Sequence, residues 1–546
     1  MISDLSASID RTVTATAKVC VIGAGIAGLL ASKRIADSGQ NVIVLESGGQ
    51  KPDARLEELN ELDEPARLYR TARTGRVRAL GGTSTVWGGR MMPLTAHDMA
   101  PRDYLGLGGW PIDKAELDRY LPAVEELFGL DDSSFENDLD LPFAMERLSR
   151  PSEYIRSRWA KWPTFRRRNV AKLLSAQARA DPRLQIWINA TAHRFSIDTE
   201  RGRLDAVYAR TADGKSIKVV ADEFILACGT LETTRLLLLL DQTSNGRAFG
   251  ECDALGRYFN DHLAIQVAQL RPPISAMANR IFGYHIGGRT RRSLHLETTA
   301  HAQREDEVAS GFVTVRPEFN PQSIPGLMKS LGQSAQSGAT GDPISSKELF
   351  KNAMALGPAL YWTFVHKQMH FGGYVDLFLD ARIEQVPSFG SRLTLSDTRD
   401  RFGIPRLRLA WEKSPADERT FRAVVRRAQR FWRSTILEAA CPVAWDRDPD
   451  DACCTFAQGS RDTRHPAGSA RMGHHRRTSV VGKDLRCHAV PNLLVASAAV
   501  FPSSGSANPT LTIMQLALLA ADGVLKPSRA STVAATRAFG AVVQSA

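Results

Sequence analysis

The stretch Lys18-Val19-Cys20-Val21-Ile22-Gly23-Ala24-Gly25-Ile26-Ala27-Gly28 decides the fold. Its opening is apolar and β-branched after Lys18, as a buried parallel strand requires. Three spaced glycines follow without a gap. Leu29 to Ser38 then reads as a helix closed by Gly39. Asn41-Val42-Ile43-Val44-Leu45 reads as a second strand ending at Glu46. Strand, G-x-G-x-x-G, helix, strand and acid together make a dinucleotide-binding βαβ unit, so an α/β chain with a Rossmann-like domain is expected. Gly23 makes the turn tight, Gly25 lets the backbone approach a pyrophosphate, and Gly28 lets helix and strand pack closely. Ile26 and Ala27 open the helix, whose free N–H groups and positive end favour phosphate. Glu46, with Ser47 beside it, can accept from ribose hydroxyls. The motif alone does not choose between NAD and FAD.

Composition narrows the rest. The 546 residues suffice for two large domains, and no repeat suggests a solenoid. Formal charge is +11, but the basic clusters are short, such as Arg166-Arg167-Arg168, and no aromatic RNA motif or zinc finger accompanies them. A solvated arginine-rich surface is expected, with no nucleic-acid partner and no metal site. Seven cysteines without a C-x-x-C argue against a disulfide framework and for a reducing, cytoplasmic setting. Met1 to Lys18 reads as a polar tail, and the run Leu236–Leu240 is too short for membrane insertion.

A second glycine cluster, Arg78-Ala79-Leu80-Gly81-Gly82-Thr83-Ser84-Thr85-Val86-Trp87-Gly88-Gly89-Arg90, suggests backbone lying flat against a planar group. Four more blocks stand out: Glu223–Thr233; Gly256-Arg257-Tyr258-Phe259-Asn260-Asp261-His262; His465–Gly473; and Asn492–Pro502 followed by Ser506-Ala507-Asn508-Pro509-Thr510. With these blocks in this order, the chain from about residue 17 to 527 resembles the glucose–methanol–choline (GMC) family of FAD-dependent oxidoreductases. The segments Glu384-Gln385-Val386-Pro387 and Ser391–Ser396 are most similar to the branch of pyranose oxidases, C-glycoside oxidoreductases and bacterial sugar dehydrogenases.

The resemblance implies an α/β (α+β overall) architecture in which a Rossmann-like FAD-binding domain, residues 17–270 and 466–527, is interleaved with an antiparallel-sheet substrate domain, 271–465. It implies that Gly81, Gly82, Thr83, Ser84, Trp87 and Gly88 line the flavin, that Ala192 contacts adenine, and that Ala227, Gly229, Ser497, Ala498, Asn508, Pro509 and Thr510 complete the cofactor site. Arg183 to Val220 reads as a β-meander. Tyr374–Val386 and Ser391–Ser396 read as strands of the substrate sheet. An amphipathic helix is expected to run to about Phe128. Residues 318–346, rich in Gly, Ser, Pro and Gln, read as a loop and a candidate lid. The tail after Pro527 reads as frayed.

Oxidising an alcohol by hydride transfer to flavin N5 requires a base for the hydroxyl proton, and imidazole suits neutral pH. By resemblance the base is His465, and Asn508 holds the substrate oxygen through its amide. His474, His475 and His488 are rivals on composition alone. Asn508-Pro509 before the apolar run Leu511–Leu525 also has the signature of a helix cap, so Asn508 or Ser506 could cap that helix. The helix start is expected to point at the flavin's pyrimidine end, where its positive end favours charge developing on reduction. Pyranose oxidases carry a flavin-linked histidine where this chain has Val86, so the FAD is expected to be non-covalent. They carry threonine where it has Gly88, which favours a dehydrogenase with a quinone or protein acceptor over one using O₂. The substrate is expected to be a small alcohol, a sugar or glycoside. A natural-product tailoring oxidoreductase and a non-redox lyase on the same scaffold are the alternatives.

Overall fold

A computed structural model describes residues 1–72, 74–136, 153–198, 202–270, 276–321, 323–338, 353–371 and 375–526. Residues 339–346 of the expected lid, and the tail after Pro527, lie outside them.

The opening strand is longer than expected, β2 over Thr12–Ile22, because Thr12-Val13-Thr14-Ala15-Thr16 alternates as a half-exposed strand does. It pairs in parallel with β3 (Val42–Leu45) and with β8 (Ser216–Leu226), Val19 standing opposite Val42 on one side and Glu223 on the other. β5 (Leu184–Ile188) and β1 (Ile2–Asp4) extend the parallel side beyond β3. On the other side β7 (Arg203–Arg210) and β6 (Thr191–Asp198) run antiparallel, and β18 (Leu493–Val495) returns in parallel against β8.

Two expectations are corrected here. The amino-terminal residues are not a polar tail: they hold a strand, and the Met1 amine donates to the Ala178 and Leu184 carbonyls at 2.6 and 2.5 Å. Arg183 to Val220 is not one meander either. Only β6–β7–β8 meander, while β5 sits across the sheet beside β3. Alternation identifies a half-buried strand but says nothing about its partner.

The second sheet is antiparallel, in the order β10 (His285–Gly287), β11 (Thr290–Thr298), β12 (Gly311–Phe319), β13 (Val375–Glu384), β9 (His262–Leu270), β16 (Val443–Trp445). β4 (Ile155–Trp162) joins at β11, and β17 (Arg461–Asp462) at β9. Its period-two pattern gives it two unlike faces. Leu296, Val313, Leu379, Ala381 and Ile383 pack with Phe421 and Val424 of the helix Pro415–Ser434, which starts in a Ser414–Asp417 capping box. His262, His295, Thr314, Asp380 and Glu384 are also buried, and lie in the opposite phase of the same strands. Ser391–Ser396 is corrected: it belongs to β14 (Arg392–Arg399), which forms a separate two-stranded sheet with β15 (Pro405–Ala410). The Asp400–Gly403 turn, with Gly403 at φ 71°, folds it onto the next strand instead.

Two helical readings also change. The helix expected to run to Phe128 is two pieces, Lys114–Asp118 and Leu121–Phe128, the second with Pro122 in its first turn. In the expected loop 318–346, residues Ile324–Ser337 form a helix. The Ser323 side chain caps it, Pro325 sits in its first turn, and Gly338 ends it at φ 81°. Composition hid this, because the helix exposes Met328 and Leu331 and buries the polar Gln336, so no apolar stripe marks it. Among the described residues no helix is long and apolar enough to cross a membrane.

Candidate active site

A cleft opens at the carboxyl ends of β2, β3 and β8. Its lining runs from Glu46 at the end of β3 to His465 and Thr510, an extended rather than a round site. Gly23, Gly25, Ile26, Ala27, Glu46 and Ser47 form one wall, and Gly82, Thr83, Ser84 and Trp87 a second. Ala192, Ala227 and Gly229, then Ser497, Ala498, Pro509 and Thr510, close it, with His465 on its lining. Gly28, Gly81, Gly88 and Asn508 are not part of the lining. Gly28 lies beneath it: a Cβ there would sit 1.8 Å from the Gly23 carbonyl oxygen, so only glycine lets the helix touch the strand. Gly81, at φ 94°, packs behind its loop against Asn169 and Ala171. Gly88 is exposed at the end of the second glycine loop.

The lining fits a dinucleotide. At Gly25 a Cβ would meet nothing within 4 Å, so the first glycine loop is open toward the cleft, and Gly82 comes within 3.0 Å of Gly25 Cα by the same measure. Three helices start on the cleft without a side-chain cap: Ile26–Asp37, Gly229–Thr243 and Thr510–Leu525. Their first-turn N–H groups are donors for an anionic ligand. Ser506 Oγ is buried without a partner, so neither it nor Asn508 caps the last helix. Ser497 Oγ instead accepts from Ala499 N–H at 3.1 Å. Glu46 accepts from Ala24 N–H and Gly48 N–H, both at 2.8 Å, and burial raises its pKa. Arg78, which sequence reasoning did not assign to the site, lines the cleft and donates to Ser47 Oγ and to Glu232 at 3.0 and 2.8 Å.

At one side of the cleft the structure brings His465 and Asn508 together, 43 residues apart in sequence, with Asn508 Nδ2 3.1 Å from His465 Nε2. A third residue, His262, joins them, its Nδ1 2.9 Å from His465 Nδ1. The hydrogen bonds fix the tautomers. His262 Nε2–H donates to the Gly505 carbonyl at 2.8 Å, so its Nδ1 is an acceptor. His465 therefore carries its proton on Nδ1, with Thr463 Oγ1 as a second acceptor at 2.9 Å. Its Nε2 lone pair is left for Asn508 or for a ligand proton. Burial, and the neighbouring His262, Arg382 and Arg90, hold the His465 pKa well below the ordinary imidazole value. The ring is a neutral base at pH 7.

The backbone under this pair is held from both sides. Asp261 accepts from His465 N–H at 2.9 Å through both oxygens, and from Tyr69 O–H at 2.7 Å. Burial and nearby Asp462 push the Asp261 pKa up to about 8. On the other side, Glu384 accepts from Ser504 N–H and Gly505 N–H at 3.1 and 3.0 Å while paired bidentately with Arg102 at 2.6 and 2.8 Å. His262 stood in the quoted Gly256–His262 block, so its block was visible but its contact with His465 was not. His474 and His475 are exposed and away from the cleft, and His488 bonds Ser479.

Residues 387–517 match the GMC oxidoreductase family. The fructose dehydrogenase large subunit of Gluconobacter japonicus is 27% identical over 62% of this chain, a match spanning about half (53%) of that protein. Paromamine 6'-oxidase of Streptomyces fradiae is 23% identical over 93% of this chain and 91% of its own length. Among solved structures, formate oxidase of Aspergillus oryzae RIB40 superposes with a TM-score of 0.58 at 17% identity, covering 93% of this chain and 98% of that one. At that identity the likeness is one of fold.

Proposed function

Taking as premise that the chain belongs to the GMC oxidoreductases, we propose that it oxidises a primary or secondary alcohol, on a sugar or glycoside, with FAD held in the cleft. The observation that carries this reading is that His465, on the lining of the cleft that starts at the glycine motif, has an unprotonated Nε2 with the Asn508 amide 3.1 Å away. The names of the relatives support the substrate class, since one acts on fructose and another on paromamine.

Gly23, Gly25, the first-turn N–H groups of Ile26–Asp37, and Glu46 would hold the ADP half. Gly82, Thr83, Ser84 and Trp87, with Ser497, Ala498 and Thr510, would hold the flavin half. Bound there, FAD supplies the hydride acceptor. The protein's own part is proton chemistry. Asn508 Nδ2–H donates to the alcohol oxygen and orients it. His465 Nε2 accepts the hydroxyl proton as the carbon gives up hydride, which leaves a carbonyl. His262 keeps the other His465 nitrogen protonated, so that Nε2 stays the basic atom. Burial keeps the ring neutral and ready.

The uncapped start of Thr510–Leu525 would favour negative charge developing at the flavin's pyrimidine end. Val86 is aliphatic, which supports non-covalent FAD. Gly88 supports a dehydrogenase that passes electrons to a quinone or protein. Seven free cysteines support a cytoplasmic setting. We read residues 17–270 with 466–527 as the FAD-binding part and 271–465 as the substrate part, β4 and β9 being lent to the substrate sheet.

The test is anaerobic addition of sugars, glycosides and simple alcohols to the purified holoprotein, following flavin absorbance. At least one alcohol is expected to bleach it, and His465→Ala to keep the flavin and lose bleaching by roughly 10²-fold or more. A variant that bleaches as fast as the natural protein removes His465 as base. Turnover of a cyanohydrin without bleaching would favour a lyase. Acid precipitation is expected to release all the yellow colour.

A further inference from the structure

Beside the proposed base the second sheet carries unmatched positive charge. Glu384 stands opposite His262, and one pleat further Arg382 stands opposite Ala264, which Arg461 flanks from its other side. Residues two apart in a strand share a face, so Arg382, Ala264 and Arg461 form the row next to the one that holds His262. Ala264 contributes only a methyl between the two guanidiniums, whose side chains keep 20% and 35% of their exposure.

One carboxylate serves this group. Arg382 and Arg461 each reach Asp380 Oδ2 at 3.4 Å, while Arg316 Nε takes both oxygens at 3.1 and 3.0 Å. Arg90 makes no ion pair among the described residues. Its Nη1 is buried without a partner, and its guanidinium lies 4.8 Å from the centre of the Trp162 ring. Arg382 Nε is likewise buried and unpartnered, and so are both ring nitrogens of His295, which is 1% exposed. Arg90 and Arg382 both lower the proton affinity of His465, so their charge is felt at the base. Buried donors without partners are costly to a protein, and a ligand that supplies acceptors removes that cost.

We propose that the alcohol oxidised here carries an anionic group, a carboxylate or a phosphate, seated by Arg90, Arg382 and Arg461 beside His465. The proposal rests on the alcohol-oxidising reading above. It separates this chain from relatives that act on aminosugars, because the same guanidiniums repel an ammonium group.

The test compares glucose, glucosamine, glucuronate and glucose 1-phosphate as anaerobic reductants of the holoenzyme. The anionic sugar is expected to show a KM at least about tenfold below that of glucose, with glucosamine the weakest. The uronate and phosphate arms distinguish the two anions. Arg90→Gln and Arg382→Gln are each expected to erase the advantage, and Arg90→Lys to keep part of it. Calorimetric binding of the same four compounds to the His465→Ala holoprotein reads the preference without turnover. If no alcohol bleaches the flavin, the alcohol-oxidising reading falls, and binding still decides the anion preference. Equal affinity for glucose and both anions, no binding of either anion, or an advantage that survives both glutamine variants overturns the proposal.

Discussion

His262 shows how much chemistry one hydrogen bond can decide. Its Nε2–H is committed to the Gly505 carbonyl, which leaves Nδ1 to accept from His465 and fixes the basic atom of His465 as Nε2. Replacing His262 with leucine removes that acceptor and allows the His465 proton to move to Nε2, the wrong nitrogen. A loss in kcat/KM of roughly 10²-fold is expected, with flavin content retained, since general-base assistance is worth about 10²–10⁴-fold. The sign of the pH dependence follows from burial. His465 has a pKa well below the ordinary imidazole value, so its neutral form persists as pH falls through 6.5. The acidic limb of the kcat/KM profile is therefore expected below pH 6.5; a limb centred at or above 6.5 would contradict a buried, neutral base.

At the scale of elements, the helix Ile324–Ser337 supports the second glycine loop. Gln336, 2% exposed, donates through Nε2 to the carbonyls of Ser84 and Trp87 at 3.1 and 2.9 Å, and its own carbonyl accepts from Asn169 Nδ2 at 3.0 Å. The segment whose composition suggested a mobile lid is, in its helical part, a brace. Gln336→Ala leaves two loop carbonyls without this donor, and each unmet buried group costs about 1–3 kcal/mol. Weaker FAD retention on dilution and a lower urea midpoint are expected. A variant that holds FAD as tightly as the natural protein would show that the loop keeps its shape alone.

Across the whole molecule, the ion pair of Arg102 and Glu384, both fully buried, ties three distant stretches together: the loop at residue 102, the end of β13, and the Ser504–Gly505 turn that orients His262. Replacing a buried pair with apolar side chains can be neutral, but removing one partner strands a charge. Arg102→Met is expected to cost about 3–5 kcal/mol in urea unfolding. It is also expected to lower kcat, because Gly505 then loses part of what holds it beneath His262. An unchanged unfolding midpoint would show that the pair does not connect these stretches energetically.

What could be read from sequence was local. The first glycine motif with its flanking strands and Glu46 is a short-range device: each residue acts on a neighbour within one βαβ unit, so spacing carries the information. His465 and Asn508 were visible as members of quoted blocks, and the uncapped start of Thr510–Leu525 lies where the Asn-Pro step suggested. Whether Asn508 turned to the helix or to the site was open, because both uses demand the same residue. Partner choice was not legible. β5 leaves the meander for the parallel edge, Ser391–Ser396 leaves the main sheet, and His262 meets His465 across 203 residues. Each outcome depends on which surfaces are buried together, a cooperative property of the packed core. Residue chemistry and period therefore determined the cofactor motif, and the family resemblance of the carboxyl-terminal blocks pointed to the candidate base. Only the folded sheets decided which nitrogen is basic and which charges stand beside it.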